Sequence, residues 1–129
     1  MGILSNDIGK RGERLAVRYM RKNGFRILDT NRRQSHNEID IIATNRDYLV
    51  FVEVKTRSYS GDVANIDCTA AAAVNKGKQQ RTIRAAEAYM LQKGTKQKQP
   101  RMDVIEVYLD KDTKKLLKIN HIPDAYGKT

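Results

Sequence analysis

The stretch Glu38-Ile39-Asp40-Ile41-Ile42-Ala43, followed after a short polar connector by Phe51-Val52-Glu53-Val54-Lys55, decides the fold of this chain. Both segments are apolar enough to be buried strands, yet each carries acids where such a strand normally carries valine or leucine. An ionised carboxylate is costly to bury without a partner, so these acids indicate a metal, a cation or a catalytic role. The two segments therefore predict a charged site built into a sheet.

The connector at residues 44–47 is short, which predicts that the two segments form an antiparallel hairpin. If Arg46 and Asp47 form a two-residue turn, Asp40 lies opposite Glu53, and Glu38 lies opposite Lys55. A four-residue loop would shift the pairing by two and keep the faces, whereas an odd loop or a bulge would change them. In either even register these four residues share one face, and the other face is filled by Val50, Val52, Val54, Ile39 and Ile41.

The remaining pattern predicts one α/β domain spanning residues 1–129, with element order α-β-β-β-α-β-β and a mixed central sheet of about five strands flanked by helices. A first helix starts at Ser5 or Asn6 and stops at Gly24. Residues 32–37 are predicted to be a loop, residues 58–73 a mobile loop leading into a helix, and residues 124–129 a frayed tail after Pro123 ends the last strand. The other predicted elements are strands at 25–31, 38–43, 48–56, 102–109 and 116–122 and a helix at 74–92.

Charge and composition narrow the class of protein. The 129 residues are 40% hydrophobic and 31% charged, which indicates a globular chain, and the formal net charge is +10. Two segments, residues 10–33 and 76–101, are strongly basic, whereas the acids of the hairpin lie between them. Basic flanks around an acidic centre favour a nucleic acid partner, although a merely solubilising surface is the alternative. One cysteine, Cys68, excludes an internal disulfide, and the lack of a membrane-spanning run or signal peptide predicts a cytoplasmic protein.

The hairpin acids suit a hard divalent cation. Mg²⁺ binds few carboxylates and keeps several waters, which leaves room for a phosphate and a water nucleophile. A lysine beside it can orient or deprotonate that water or stabilise the transition state. The alternative is a cross-strand Glu38–Lys55 pair with Asp40 held by backbone donors, but Asp40 and Glu53 would then repel each other.

Asp40 followed by Glu53-Val54-Lys55 resembles the PD-(D/E)XK nuclease signature. Further motifs narrow the resemblance to the YraN-like family of small uncharacterised bacterial proteins, which is related to archaeal Holliday junction resolvases; they are GKRGERLA at 9–16, EIDIIA at 38–43, VEVKTR at 52–57 and RAAEAY at 84–89. The sequence departs from relatives at His36 and Asn37, where small residues are usual, and it lacks the helical Gln-x-x-x-Tyr motif. His36 itself is either a proton carrier or, more simply, a solvated loop histidine.

The resemblance implies a restriction-endonuclease-like core. It implies that Asp40 and Glu53 bind Mg²⁺ or Mn²⁺, that Lys55 is the catalytic lysine, and that Glu13 of the first helix approaches the metal from the side. The basic segments predict nucleic acid binding through Arg32, Arg33, Arg57, Lys76, Lys78 and Arg81.

Three functions compete at this stage. The first is a metal-dependent endonuclease acting on DNA, with branched or junction DNA as a candidate substrate. The second is a nucleic-acid-binding protein that keeps the nuclease fold without catalysis, and the third is a domain that binds an acidic protein. A homodimer would suit cleavage of both strands, but no interface can be identified from the sequence.

Overall fold

Two helices and five strands make up the computed structural model, which describes residues 5–68, 75–95 and 97–127. Neither helix in this part of the chain is long and apolar enough to cross a membrane. The elements in chain order are α1 (Ser5–Lys22), β1 (Arg26–Gln34), β2 (Asn37–Thr44), β3 (Tyr48–Tyr59), a short 3₁₀ turn (Val63–Asn65), α2 (Lys76–Lys93), β4 (Gln99–Asp110) and β5 (Leu116–Tyr126).

The strands form one sheet in the order β1-β2-β3-β4-β5. All neighbours are antiparallel except β3 and β4, which run parallel and are joined through α2. The predicted α/β architecture with a mixed five-stranded sheet is therefore confirmed, as is the order of its elements.

The β2–β3 hairpin has the register predicted for a two-residue turn. Asn45 donates its N–H to the Tyr48 carbonyl at 3.2 Å, and pairing continues from Thr44 and Leu49 to Ile41 and Val52. The Asn45 side chain also fixes the turn, because its Oδ1 accepts the N–H groups of Asp47 at 3.0 Å and Tyr48 at 2.8 Å.

The two helices cover opposite faces of the sheet. The α1 side holds a core cluster that includes Ala16, Met20 and Val52, and the α2 side holds one that includes Phe51 and Tyr89. Helix α1 approaches β3 closely at Gly12, where an added Cβ would lie 1.8 Å from Thr56 Oγ1. This contact brings the first helix, and Glu13 with it, close to the sheet.

The predicted loop at residues 32–37 is wrong. Strand β1 continues to Gln34, and β2 begins at Asn37, so Arg32 and Arg33 lie on a strand. Only Ser35 and His36 form the turn, and both have positive φ, 51° and 63°, as type I′ hairpin turns require. His36 is exposed in this turn.

The predicted end of the last strand at Pro123 is also wrong. β5 lies at the sheet edge, where a residue without an N–H is tolerated, and it continues to Tyr126. Asp124, with a φ of 52°, donates its N–H to Asp103 Oδ1 at 3.0 Å. Of the remaining predictions, residues 69–73 of the mobile loop, the helix start at residue 74 and tail residues 128–129 lie outside the described residues.

Candidate functional site

Strands β2 and β3 separate at Asp40. Hydrogen-bonded pairs recur every second residue along the hairpin, so an unbroken ladder would pair Ile39 with Val54. Regular pairing instead stops at Ile41 and Val52, and the Val54 N–H donates to Asp40 Oδ2 at 2.8 Å. The Asp40 carboxylate thus takes the place of a backbone acceptor and lies where the two strands diverge.

The neighbouring strand is irregular at the same level. In β1, Thr30 pairs with Ile41 and Arg32 with Ile39, whereas Asn31 between them has a left-handed φ of 51°. Ile39 packs in the α2 cluster, while Ile41 packs in the α1 cluster. The prediction that these two isoleucines share a face is therefore wrong.

A small cavity of about 40 Å³ lies at this divergence. That volume accommodates a water molecule or a small ion. Its walls come from β2, β3 and α2, and the residues that line it are Glu38, Ile39, Asp40, Val52, Glu53, Lys78 and Thr82. Two of the predicted site acids, Asp40 and Glu53, are thus brought to one cavity.

Glu53 lies between two lysines. Its Oε1 accepts a charged hydrogen bond from Lys78 Nζ at 2.6 Å, and Lys55 Nζ is 4.0 Å from the same oxygen. Among the described residues, Glu53 Oε2 is buried and has no hydrogen-bond partner. A buried carboxylate oxygen without a donor is destabilising, so this atom is available to bind a cation.

The Asp40 carboxyl is electrostatically disfavoured in its ionised form. Its pKa is raised from 3.8 to about 6, chiefly by burial and less by the charges of Glu13 and Glu53, while the Val54 N–H and Lys78 oppose the rise. The Glu13 pKa is also raised, chiefly by burial and less by Glu38, against a hydrogen bond from Asn31. Burial and the neighbouring acids thus disfavour the ionised form of both carboxyls, and a bound cation would favour it.

Glu13 occupies a different position from the other two acids. It lies close enough to raise the Asp40 pKa, but it lines a groove between α1 and β1 rather than the small cavity. Within the described part of the chain, no three His, Cys, Asp or Glu side chains form a ready metal-binding group. The orphaned Glu53 oxygen and the all-oxygen donors nevertheless fit Mg²⁺ or Mn²⁺, since hard cations bind one or two carboxylates and keep waters.

Three residues of the predicted nucleic-acid-binding set make contacts within the protein. Arg32 lies 5.5 Å from the Tyr89 ring centroid and pairs with Asp29 at 3.4 Å. Arg57 Nε donates to Glu106 Oε2 at 2.6 Å, and Lys78 binds Glu53. The other three, which are Arg33, Lys76 and Arg81, are exposed.

Lys78 and Thr82 line the small cavity. The sequence predicts Lys78 only as a nucleic-acid-binding residue, and it does not single out Thr82. Their spacing of four residues places both on one helix face, which is the signal that could have identified them. The sequence does not show that this face lies over Glu53, because that depends on how α2 crosses the sheet between β3 and β4.

Two other buried acids are fully paired and lie apart from the cavity. Asp103 accepts two hydrogen bonds from Arg101 at 2.9 Å each, and His121 Nε2 is 2.6 Å away. Glu106 accepts hydrogen bonds from Arg57 at 2.6 Å and from the Tyr108 hydroxyl at 2.8 Å. For both carboxyls burial favours a higher pKa, but these donors lower it overall.

Comparison with known proteins gives one family. The family model for the uncharacterised protein family UPF0102 matches residues 12–107. A UPF0102 protein of Caldanaerobacter subterraneus subsp. tengcongensis is 40% identical over 119 residues, which cover 92% of this chain and 93% of the relative. UPF0102 proteins of Alkaliphilus oremlandii (45% over 125 residues, 95% and 100% covered) and Chlorobium phaeobacteroides (37% over 129 residues, 98% of each) are similar along their whole length.

Proposed function

We propose that this chain, which belongs to the uncharacterised protein family UPF0102 and so bears out the predicted YraN-like relationship, is a metal-dependent endonuclease that hydrolyses phosphodiester bonds in DNA. The observation that carries the proposal is the buried, unpartnered Glu53 Oε2, which lines the same cavity as Asp40. The lysines beside Glu53 contact only its Oε1, so the unpartnered Oε2 and the buried Asp40 carboxyl favour a divalent cation. Their place in the PD-(D/E)XK-like sequence pattern gives that cation a role in phosphodiester hydrolysis.

Asp40 and Glu53 would hold Mg²⁺ or Mn²⁺, with Glu13 assisting from α1. When bound, the cation neutralises charge on the phosphate and lowers the pKa of a bound water. The chain's own contribution is positional, since the Val54 N–H bond holds the Asp40 carboxylate at the divergence of the strands.

Lys55 is proposed as the catalytic lysine. Its ammonium is 4.0 Å from Glu53 Oε1 and its side chain is 29% exposed, so it is open to an incoming phosphate. A cation at this position can orient the attacking water or stabilise charge that develops on the phosphoryl oxygens. Neither role makes Lys55 a metal ligand.

A non-catalytic nucleic-acid-binding protein is the second candidate, and one contact favours it. The Lys78 ammonium, 2.6 Å from Glu53 Oε1, already neutralises part of the charge that the nuclease assigns to a metal. In this alternative Lys78 and Glu53 form a permanent structural pair, and the cavity binds no divalent cation.

Cleavage of labelled linear, flapped and four-way-junction DNA in Mg²⁺, Mn²⁺ or EDTA tests the proposal and identifies the preferred substrate. We expect cation-dependent products that Glu53→Ala abolishes while DNA binding persists. Lys55→Ala should slow cleavage by roughly a hundredfold to ten-thousandfold without weakening metal binding. Glu13→Ala should have a milder effect.

Two results would contradict the nuclease. The absence of cation-dependent products from the wild type on every substrate favours the binding protein. Nicking that persists equally in Glu53→Ala comes from a contaminating nuclease and removes the catalytic claim. An RNA version of each substrate tests the choice of DNA, and sedimentation tests the homodimer that a two-strand cut would favour. We also propose that the protein acts in the cytoplasm, which fractionation of the source cells tests.

A further inference from the structure

We infer that the groove between α1 and β1 is the surface that receives the phosphate backbone of the nucleic acid. The groove has a volume of about 460 Å³, and four cations from a single helix line it, namely Lys10, Arg14, Arg18 and Arg21. The inference rests on the proposed action on DNA and names the surface that DNA occupies.

The four cations are exposed, and none forms an ion pair with the described residues. Lys10, Arg14 and Arg18 follow one another at spacings of four, so they lie on one helix face and repel each other. Such like-charge pairs destabilise a helix. A polyanion along the groove would turn this repulsion into attraction, because each phosphate contact releases a counterion.

The groove leads towards the small cavity that Asp40 and Glu53 line. Asn31 lines it, and this residue occupies the β1 position between the partners of Ile39 and Ile41, hence opposite Asp40. Glu13, which also lines the groove, interacts electrostatically with Asp40. A strand lying against the four cations therefore lies beside Asn31 and Glu13, the two residues that connect the groove to Asp40.

The chemistry of the helix favours nucleic acid over an anionic membrane. A membrane-surface helix inserts exposed apolar side chains beside its cations. In α1 the apolar residues pack against the sheet instead; these are Ile8, Leu15, Ala16, Val17, Tyr19 and Met20. The exposed face offers cations together with Thr30 and Asn31, which are hydrogen-bonding groups suited to phosphate oxygens.

The α2 surface is a weaker candidate than the basic charge of its sequence indicates. Lys78 is bound to Glu53, and the groove beside α2 has two cations, Lys76 and Arg84, and one acid, Glu87, whereas the α1 groove has four cations and one acid, Glu13. Arg57 and Arg32 are held by Glu106 and Asp29. The balance of charge therefore favours α1 over α2 as the surface that binds nucleic acid.

Fluorescence anisotropy with labelled duplex DNA in EDTA, over a series of salt concentrations, tests the inference. The variant Arg14→Gln/Arg18→Gln removes two groove charges at exposed positions, and circular dichroism verifies its fold. We expect affinity to fall at least about tenfold at low salt, and the slope of log K against log[salt] to become less steep by about 1.8, or 0.9 per lost phosphate contact.

A matched control, Arg46→Gln/Lys115→Gln, removes two exposed cations from hairpin turns outside the groove and should leave the slope unchanged. Equal losses of DNA affinity in the control and groove variants overturn the inference, as does a loss of affinity confined to Lys76→Gln/Arg81→Gln on α2. Neither result contradicts the proposed nuclease activity. No DNA binding by the wild type at any salt overturns both. Groove-dependent binding to phosphatidylserine-containing vesicles, with DNA binding unaffected, would identify a membrane surface instead.

Discussion

Replacing Asp40 by asparagine should stabilise the metal-free protein. The Asp40 pKa is raised from 3.8 to about 6, chiefly by burial, so the folded protein binds this proton more tightly than the unfolded chain does. Consequently the free energy of unfolding falls as pH rises through 3.8 and reaches its full loss above pH 6. Each pKa unit is worth about 1.4 kcal/mol, which gives a penalty of about 3 kcal/mol at pH 8 and about 1.5 kcal/mol at pH 5. Asparagine removes the charge and keeps an oxygen to accept the Val54 N–H.

Urea unfolding followed by circular dichroism in EDTA measures this effect. Asp40→Asn should raise the free energy of unfolding by about 2–3 kcal/mol at pH 8 and by about half as much at pH 5. Asp47→Asn, at an exposed turn position, is the control and should change little at either pH. A loss of stability at pH 8, or the same gain at both pH values, would refute the electrostatic reasoning.

Three further predictions concern the scaffold and are measured by denaturant unfolding. Gly12→Ala should destabilise the protein by about 1–3 kcal/mol because the added Cβ has no space. Gly9→Ala, whose Cβ would have nothing within 4 Å, should stabilise α1 by up to about 1 kcal/mol. Equal effects of the two variants would contradict the close approach of α1 to β3. Arg57→Ala should destabilise the protein by about 1–3 kcal/mol because the buried Glu106 loses a hydrogen-bond donor, and DNA affinity should change little. A large loss of DNA affinity at unchanged stability would show instead that Arg57 contacts DNA. Asp103 has a lowered pKa, so its stabilising contribution is present above pH 3.8 and is lost as pH falls. Asp103→Asn should therefore lower the free energy of unfolding at pH 7 and make that free energy fall less steeply as the pH becomes acidic. An unchanged dependence of the free energy of unfolding on pH would contradict this.

The hairpin that carries the acids could be predicted because its signals are local. Strand periodicity sets the faces, and the Asn45 side chain favours a two-residue turn, which together fix the register. The turn at Ser35 and His36 was missed because neither is the glycine or asparagine that usually marks left-handed positions. The sequence predicts that Pro123 ends the last strand, because the position of that strand at the sheet edge, where proline is tolerated, depends on the strand order.

The details of the candidate site depend on contacts that no local pattern encodes. Pairing between β2 and β3 stops at Ile41 and Val52, and beyond it the Asp40 carboxylate, rather than a backbone carbonyl, accepts the Val54 N–H. The Lys78–Glu53 contact joins residues 25 positions apart and depends on how α2 crosses the sheet. Sequence charge alone therefore assigned Lys78, Arg57 and Arg32 to a ligand, whereas each has a partner inside the protein.

Calorimetric titration of Mn²⁺ into the metal-free protein at neutral pH tests most directly whether Asp40 and Glu53 form a metal centre. We expect binding by the wild type that is lost in Glu53→Gln, weakened in Asp40→Asn and retained in Lys55→Ala. Binding should release protons, because the raised Asp40 pKa leaves part of this carboxyl protonated. No binding by the wild type, or equal binding by the wild type and Glu53→Gln, would contradict the metal centre.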